Sequence, residues 1–132
     1  QCLPTPPDML GPFYKPQAPV RSQVGSGYVL SGKVLSAGSC TPLFDAAIEL
    51  WLAGPNGKYG DSYRATMFSG EDGSYRFESN YPGNYGRPPH IHLRVTAPGY
   101  KELITQHYPQ AGATAGEFAL VLQPSNVARV AP

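Results

Sequence analysis

Between residues 28 and 122 the chain is cut into short β-prone runs by turns spaced too closely for long helices. The runs fall at about 28–36, 46–53, 63–69, 73–79, 90–97, 101–106 and 117–122. Gly, Pro, Asn and Asp separate them, the residues that supply left-handed or rigid backbone at turns. With 15 Gly and 15 Pro in 132 residues, the chain carries too many helix breakers for a helical protein. The fold class that follows is all-β, a two-sheet antiparallel β-sandwich with an extended N-terminal arm and long loops. Asp72-Gly73 predicts a tight hairpin between the third and fourth runs. In 46–53 the apolar residues Ala47, Ile48, Leu50, Trp51 and Leu52 do not alternate, so this strand should be buried on both faces.

One domain is expected over 1–132: a Pro-, Gly- and Ser-rich arm at 1–26, a sandwich core at 27–123 and a tail at 124–132. A chain of this size buries roughly two thirds of its unfolded surface, enough for a single core. A hydrophobic content of 41% and a net charge of +1 argue against disorder, nucleic-acid binding and anionic-membrane binding. No apolar run approaches the ~20 residues that a membrane-spanning helix needs.

The run His90-Ile91-His92-Leu93-Arg94-Val95 carries the chemistry. Side chains alternate between the faces of a strand, so His90 and His92 share one side, about 6–7 Å apart along the backbone. That spacing lets two imidazoles bind one metal ion, and zinc, copper, iron and nickel all accept such ligands. A polar, solvated strand face would carry the same residues. Tyrosine narrows the choice. Tyr59 follows the turn Gly54-Pro55-Asn56-Gly57, and Tyr85 follows Pro82-Gly83-Asn84, both where loops should meet the histidine strand. A phenol with a pKa near 10 is held deprotonated at neutral pH only by a strong Lewis acid such as ferric iron.

Arg87-Pro88-Pro89-His90-Ile91-His92 resembles the Arg-Pro-x-His-Ile-His signature of the intradiol ring-cleavage dioxygenases, the family of protocatechuate and catechol dioxygenases. Thr5-Pro6 and Gly11-Pro12-Phe13-Tyr14 resemble its amino-terminal elements. Ala47-Ile48-Glu49-Leu50-Trp51 and Gly57-Lys58-Tyr59 resemble a core strand and the loop bearing its first tyrosine ligand. Asp72-Gly73-Ser74-Tyr75-Arg76-Phe77, Pro82-Gly83-Asn84-Tyr85, Leu103-Ile104-Thr105-Gln106 and Phe118-Ala119-Leu120-Val121-Leu122 follow in the family's order.

The resemblance implies one Fe(III) per chain, held by Tyr59, Tyr85, His90 and His92, with hydroxide or water in a fifth position. It implies that Tyr85 is the tyrosine that leaves when a catecholate chelates the metal. Arg87 would stabilise the electron-rich substrate carbon, and Gln106 would line the same pocket. Gly11, Pro12, Phe13 and Tyr14 would border the substrate mouth; in some members a neighbouring subunit supplies that element, which admits a homo-oligomer. The implied partners are a small-molecule catechol and O2, and the implied product is a muconate-type dicarboxylate. His107 matches no ligand and reads as a surface residue. Only four residues separate Tyr85 from His90, where better-known members carry a longer insertion, so a shallower and more open site is expected. The other readings are a non-catalytic metal-containing binding module, and zinc or copper held by His90 and His92 alone.

The two cysteines, Cys2 and Cys40, are 38 positions apart. Paired, they would pin the arm to the first strands; the alternative is two free thiols. A disulfide, and a first residue that is Gln1, favour a secreted or periplasmic protein whose signal peptide has been removed.

Overall fold

In the computed structural model, residues 2–125 are described. The part of the expected tail at 126–132 lies outside the described residues, as does residue 1. Eight strands occur: β1 (Tyr28–Ser36), β2 (Ala47–Leu52), β3 (Arg64–Phe68), β4 (Ser74–Ser79), β5 (Ile91–Thr96), β6 (Leu103–His107), β7 (Ala115–Glu117) and β8 (Leu120–Leu122). The run expected at 117–122 is two strands, broken at Phe118 and Ala119. A single 3-10 turn, Asp61–Tyr63, is the helical element among the described residues.

The strands form two four-stranded sheets. One has the order β3-β2-β5-β6, antiparallel throughout. The other is built on β1, which pairs with β4 antiparallel and with β7 and β8 in parallel. Its edge therefore departs from the purely antiparallel expectation, because β6 ends where His107 meets Tyr28 at the start of β1, and the chain enters β7 from that same end.

Asp72-Gly73 does not join a hairpin. Gly73 adopts a left-handed φ of 81°, and its amide donates to the Gly70 carbonyl at 2.9 Å, so a tight turn forms. Yet β3 pairs with β2 and β4 pairs with β1, so the turn carries the chain from one sheet to the other. Turn chemistry specifies the bend; the partner is chosen by which faces bury apolar side chains.

Period-two alternation explains the layers. Ile48, Leu50, Leu52, Ile91, Leu93 and Val95 meet Leu30, Val34, Phe77, Leu120 and Leu122 in one fully buried core. Truncating one of these leucines to alanine should cost about 2–5 kcal/mol. On the opposite face of β2 and β5 stand Glu49, Trp51, His92 and Arg94, in register as Glu49↔Arg94 and Trp51↔His92. As expected for β2, Trp51 is also buried, because the arm covers this outer face.

The arm follows the edges of the sandwich. Thr5 bonds both ways with Val121, and its hydroxyl donates to the Ala119 carbonyl at 2.9 Å. Asp8 N–H donates to the Ile104 carbonyl on β6, and Gln106 Nε2 donates to the Met9 carbonyl at 2.8 Å. The chain then crosses the outer face, rejoins β3 at Pro19–Arg21 and β4 at Ser22–Val24, and enters β1. A disulfide joins Cys2 to Cys40, with Cα atoms 5.3 Å apart, and ties the start of the arm to the β1–β2 loop.

Candidate metal centre

Four donor atoms from three segments converge on the arm-covered face. Tyr59 Oη lies 2.9 Å from Tyr85 Oη, 3.2 Å from His90 Nε2 and 3.1 Å from His92 Nε2. Tyr85 Oη is 3.0 Å from His90 Nε2, and the two imidazole Nε2 atoms are 3.0 Å apart. Two donor atoms that each lie about 2.0–2.2 Å from one metal ion stand roughly 3 Å apart in a tetrahedral or octahedral arrangement, which is the spacing found between these pairs. Among the described residues, no group of three or more His, Cys, Asp and Glu could hold a metal. The two imidazoles therefore have phenols, not carboxylates or thiolates, as neighbours. Such a donor set fits a hard, highly charged ion better than it fits zinc.

The local sequence explains the convergence. His90 closes the Pro88-Pro89 approach to β5, and His92 follows two residues later on the same face. Tyr59 and Tyr85 lie on loops held together by the Gly54–Gly57 turn: a Cβ on Gly57 would stand 2.4 Å from the Asn84 carbonyl oxygen, and one on Gly83 1.9 Å from that of Gly54. Glycine at these two positions lets the backbones approach closely enough for both phenols to reach one point.

The electrostatics suit metal binding. His90 and His92 are 1% exposed, and burial pushes both imidazoles toward the neutral, metal-binding form. For His92 burial and then the neighbouring His90 and Arg87 lower the pKa to about 3. Burial, followed by the hydrogen bond with Tyr85, pushes the Tyr59 phenol above its usual range, so it keeps its proton until a cation displaces it.

Arg87 faces this centre. Its Nη1 lies 3.3 Å from His90 Nε2, and its Nη2 donates to Gln106 Oε1 at 3.2 Å. Gln106, opposite His92 in the β5–β6 register, links Arg87 to the arm through Met9. Phe13 stacks on Tyr59 with ring centroids 4.3 Å apart and meets Tyr85 edge-on at 6.2 Å. Phe13 is 46% exposed, so it lies on the solvent side of the centre. Gly11 packs against His92: a Cβ there would sit 3.1 Å from His92 Cε1. Pro12 is exposed at the turn between them.

Two sequence expectations need correction. Tyr14 does not join the mouth. Its hydroxyl donates to Glu49 Oε1 at 2.8 Å and its ring packs edge-on against Trp51, because successive residues of the extended arm face opposite ways. His107 is not a surface residue. It is half-buried, with Nε2 2.7 Å from Tyr28 Oη and its ring against Phe118, on the face of β6 opposite Gln106. Two further residues of the centre are not marked as site residues by the sequence. Tyr108 contacts Asp8 at 2.8 Å and Gln106 at 2.9 Å, and its ring stands 6.0 Å from that of His90. It follows Gln106 by two positions, so strand alternation carries the signal. Trp51 stacks on His92, a contact that only the register between β2 and β5 reveals.

Comparison with protein-family models gave no match. Catechol 1,2-dioxygenase of Candida albicans is 31% identical over 137 residues, which cover 76% of this chain and 45% of that protein. The chain spans about half the length of the curated relatives it matches. The dioxygenase domain of a dioxygenase carbohydrate-binding protein fusion from Streptomyces sp. SirexAA-E superposes with a TM-score of 0.82 and 31% identity, over 92% of this chain and 99% of that one. Catechol 1,2-dioxygenase of Pseudomonas arvilla C-1 shares the fold, with a TM-score of 0.82 at 21% identity over 92% of this chain and 62% of that one. With 31% identity sustained over essentially the whole of a solved dioxygenase domain, the chain belongs to the intradiol ring-cleavage dioxygenase family.

Proposed function

We propose that this chain is a non-haem Fe(III) dioxygenase that cleaves catechol-type rings between the two hydroxyl-bearing carbons, with O2, to give muconate-type dicarboxylates. The observation that carries the reading is the convergence of Tyr59, Tyr85, His90 and His92, with Tyr59 and His90 each 2.9–3.2 Å from the other three donor atoms. These four side chains would hold the iron, which when bound supplies Lewis acidity toward a catecholate. Neutral imidazoles and anionic phenolates would offset most of a ferric charge.

The remaining residues have roles set by their positions. Arg87, held by Gln106, presents a guanidinium at the edge of the site, where it would stabilise negative charge developing on the substrate ring. Gln106 fixes that guanidinium and joins it to the arm. Phe13 offers an aromatic face at the mouth and, with Met9 and Tyr108, would exclude water from the bound ring. The Cys2–Cys40 disulfide supports an oxidising compartment, so we assign the protein to the secreted or periplasmic class.

The test is direct. Iron-loaded protein mixed with a panel of catechols in air should consume one O2 per ring and form a muconate-type product. An anaerobic titration should perturb the visible tyrosinate-to-iron band. Saturable binding without O2 uptake would favour a non-catalytic binding module, and a colourless protein with bound zinc would reject the iron assignment.

A further inference from the structure

His90 and His92 are oriented by different means. His90 Nδ1 donates to the Pro88 carbonyl oxygen at 2.7 Å, the arrangement by which metal-binding imidazoles are commonly fixed. His92 Nδ1 is buried and has no hydrogen-bond partner among the described residues. Its ring instead lies parallel to the Trp51 indole, with an interplanar angle of 4° and centroids 5.0 Å apart. The two residues face each other across β2 and β5, so the stack is set by strand register. Trp51 is held in turn: Tyr14 packs edge-on against it at 5.0 Å, and Tyr14 is anchored to Glu49, itself paired with Arg94. Trp51 Nε1 is also buried without a partner among the described residues, so the indole is placed by its faces, not by its polar atom. Gly11, with a φ of 76°, closes on the Cε1 side of the imidazole.

We infer that Trp51 is a positioning residue for His92: the indole face, in place of a hydrogen bond, sets the plane in which that imidazole offers Nε2 to the metal. The inference rests on the reading of His92 as a metal ligand. An imidazole without an orienting hydrogen bond can rotate about its side-chain torsions, and a flat partner on a central strand removes that freedom. Tyr14 then acts one step further out, as a brace for Trp51.

Trp51 is the single tryptophan of the chain, so tryptophan emission comes from this position alone. Metal-free protein is titrated with ferric citrate while the visible band is followed for the wild type and for Trp51→Phe, Trp51→Leu and His92→Ala, with tryptophan emission followed as well in the wild type and His92→Ala, which retain Trp51. Emission of the wild type should fall in step with iron uptake. Trp51→Phe, which keeps an aromatic face, should bind iron within about threefold of the wild type. Trp51→Leu should bind it about 10–100-fold more weakly and with a shifted band. A purely structural role for Trp51 would lower the melting temperature but leave affinity and band unchanged below the transition; that result overturns the inference. Unquenched emission in iron-loaded wild type overturns it too, and needs no variant to fold. Failure of the wild type to take up iron would remove the ligand assignment and this inference with it. Loss of iron in His92→Ala with none in Trp51→Leu would leave the assignment standing and reject the positioning role alone.

Discussion

The Pro88 carbonyl oxygen accepts a 2.7 Å hydrogen bond from His90 Nδ1, which leaves the His90 Nε2 lone pair facing Tyr59 and Tyr85. The proline pair ahead of β5 thus shapes the approach of the chain and also selects the tautomer of a candidate ligand. Without that bond the imidazole could present a proton where a metal must sit.

Replacing His90 or His92 by Ala should reduce iron content from about one per chain to below one tenth, with loss of the visible band. Each removes one of four donor atoms, and both imidazoles lie within 3.2 Å of Tyr59 Oη and 3.0 Å of each other. Tyr59→Phe should do nearly the same while keeping the stack against Phe13. Iron analysis after exhaustive loading checks all three; near-full occupancy in every variant would reject the coordination.

Phe13→Ala should raise KM for a catechol several-fold with iron and colour retained, since the ring borders the mouth without supplying a donor atom. Tyr14→Phe should leave KM unchanged, because its hydroxyl is bonded to Glu49 and its ring covers Trp51. Equal kinetics for Phe13→Ala and the wild type would confine Phe13 to anchoring the arm.

Intact protein should weigh two hydrogens less under non-reducing conditions than after reduction, through Cys2–Cys40. Closing a loop of this length is worth about 4 kcal/mol in the chain-entropy account. Reduction should lower Tm by at least about 5 °C. Two alkylatable thiols in the native protein would contradict both expectations.

Metal-free protein should lose stability as pH falls below about 6.5. Burial lowers the pKa of His107, so the unfolded chain takes up a proton there that the folded chain refuses. Stability is therefore highest above the unfolded value and declines as pH drops toward the folded one. His90 and His92 add slopes of the same sign. Thermal melts between pH 4 and pH 8 should show a smaller slope for His107→Gln than for the parent; equal slopes would mean that His107 titrates freely.

Strand content is legible in the residue order itself, because β-strands alternate with period two and this chain breaks them with Gly, Pro, Asn and Asp. The same alternation puts His90 and His92 together and Ile91, Leu93 and Val95 in the core. The short Tyr85–His90 connection is equally plain in the sequence. The tertiary structure decided what depends on pairing between distant segments. It sent β3 and β4 to different sheets despite a turn that suits a hairpin, since local backbone chemistry specifies a bend and not a partner. It brought Tyr59 to within 3.2 Å of both histidines across more than thirty residues, through glycine contacts that have no periodic signature. It also divided Phe13 from Tyr14 and buried His107 against Tyr28, because the face an arm or edge residue presents is set by what it packs against. Trp51 belongs with these: a tryptophan in a buried strand reads as core, and only the register of β2 against β5 lays it on His92.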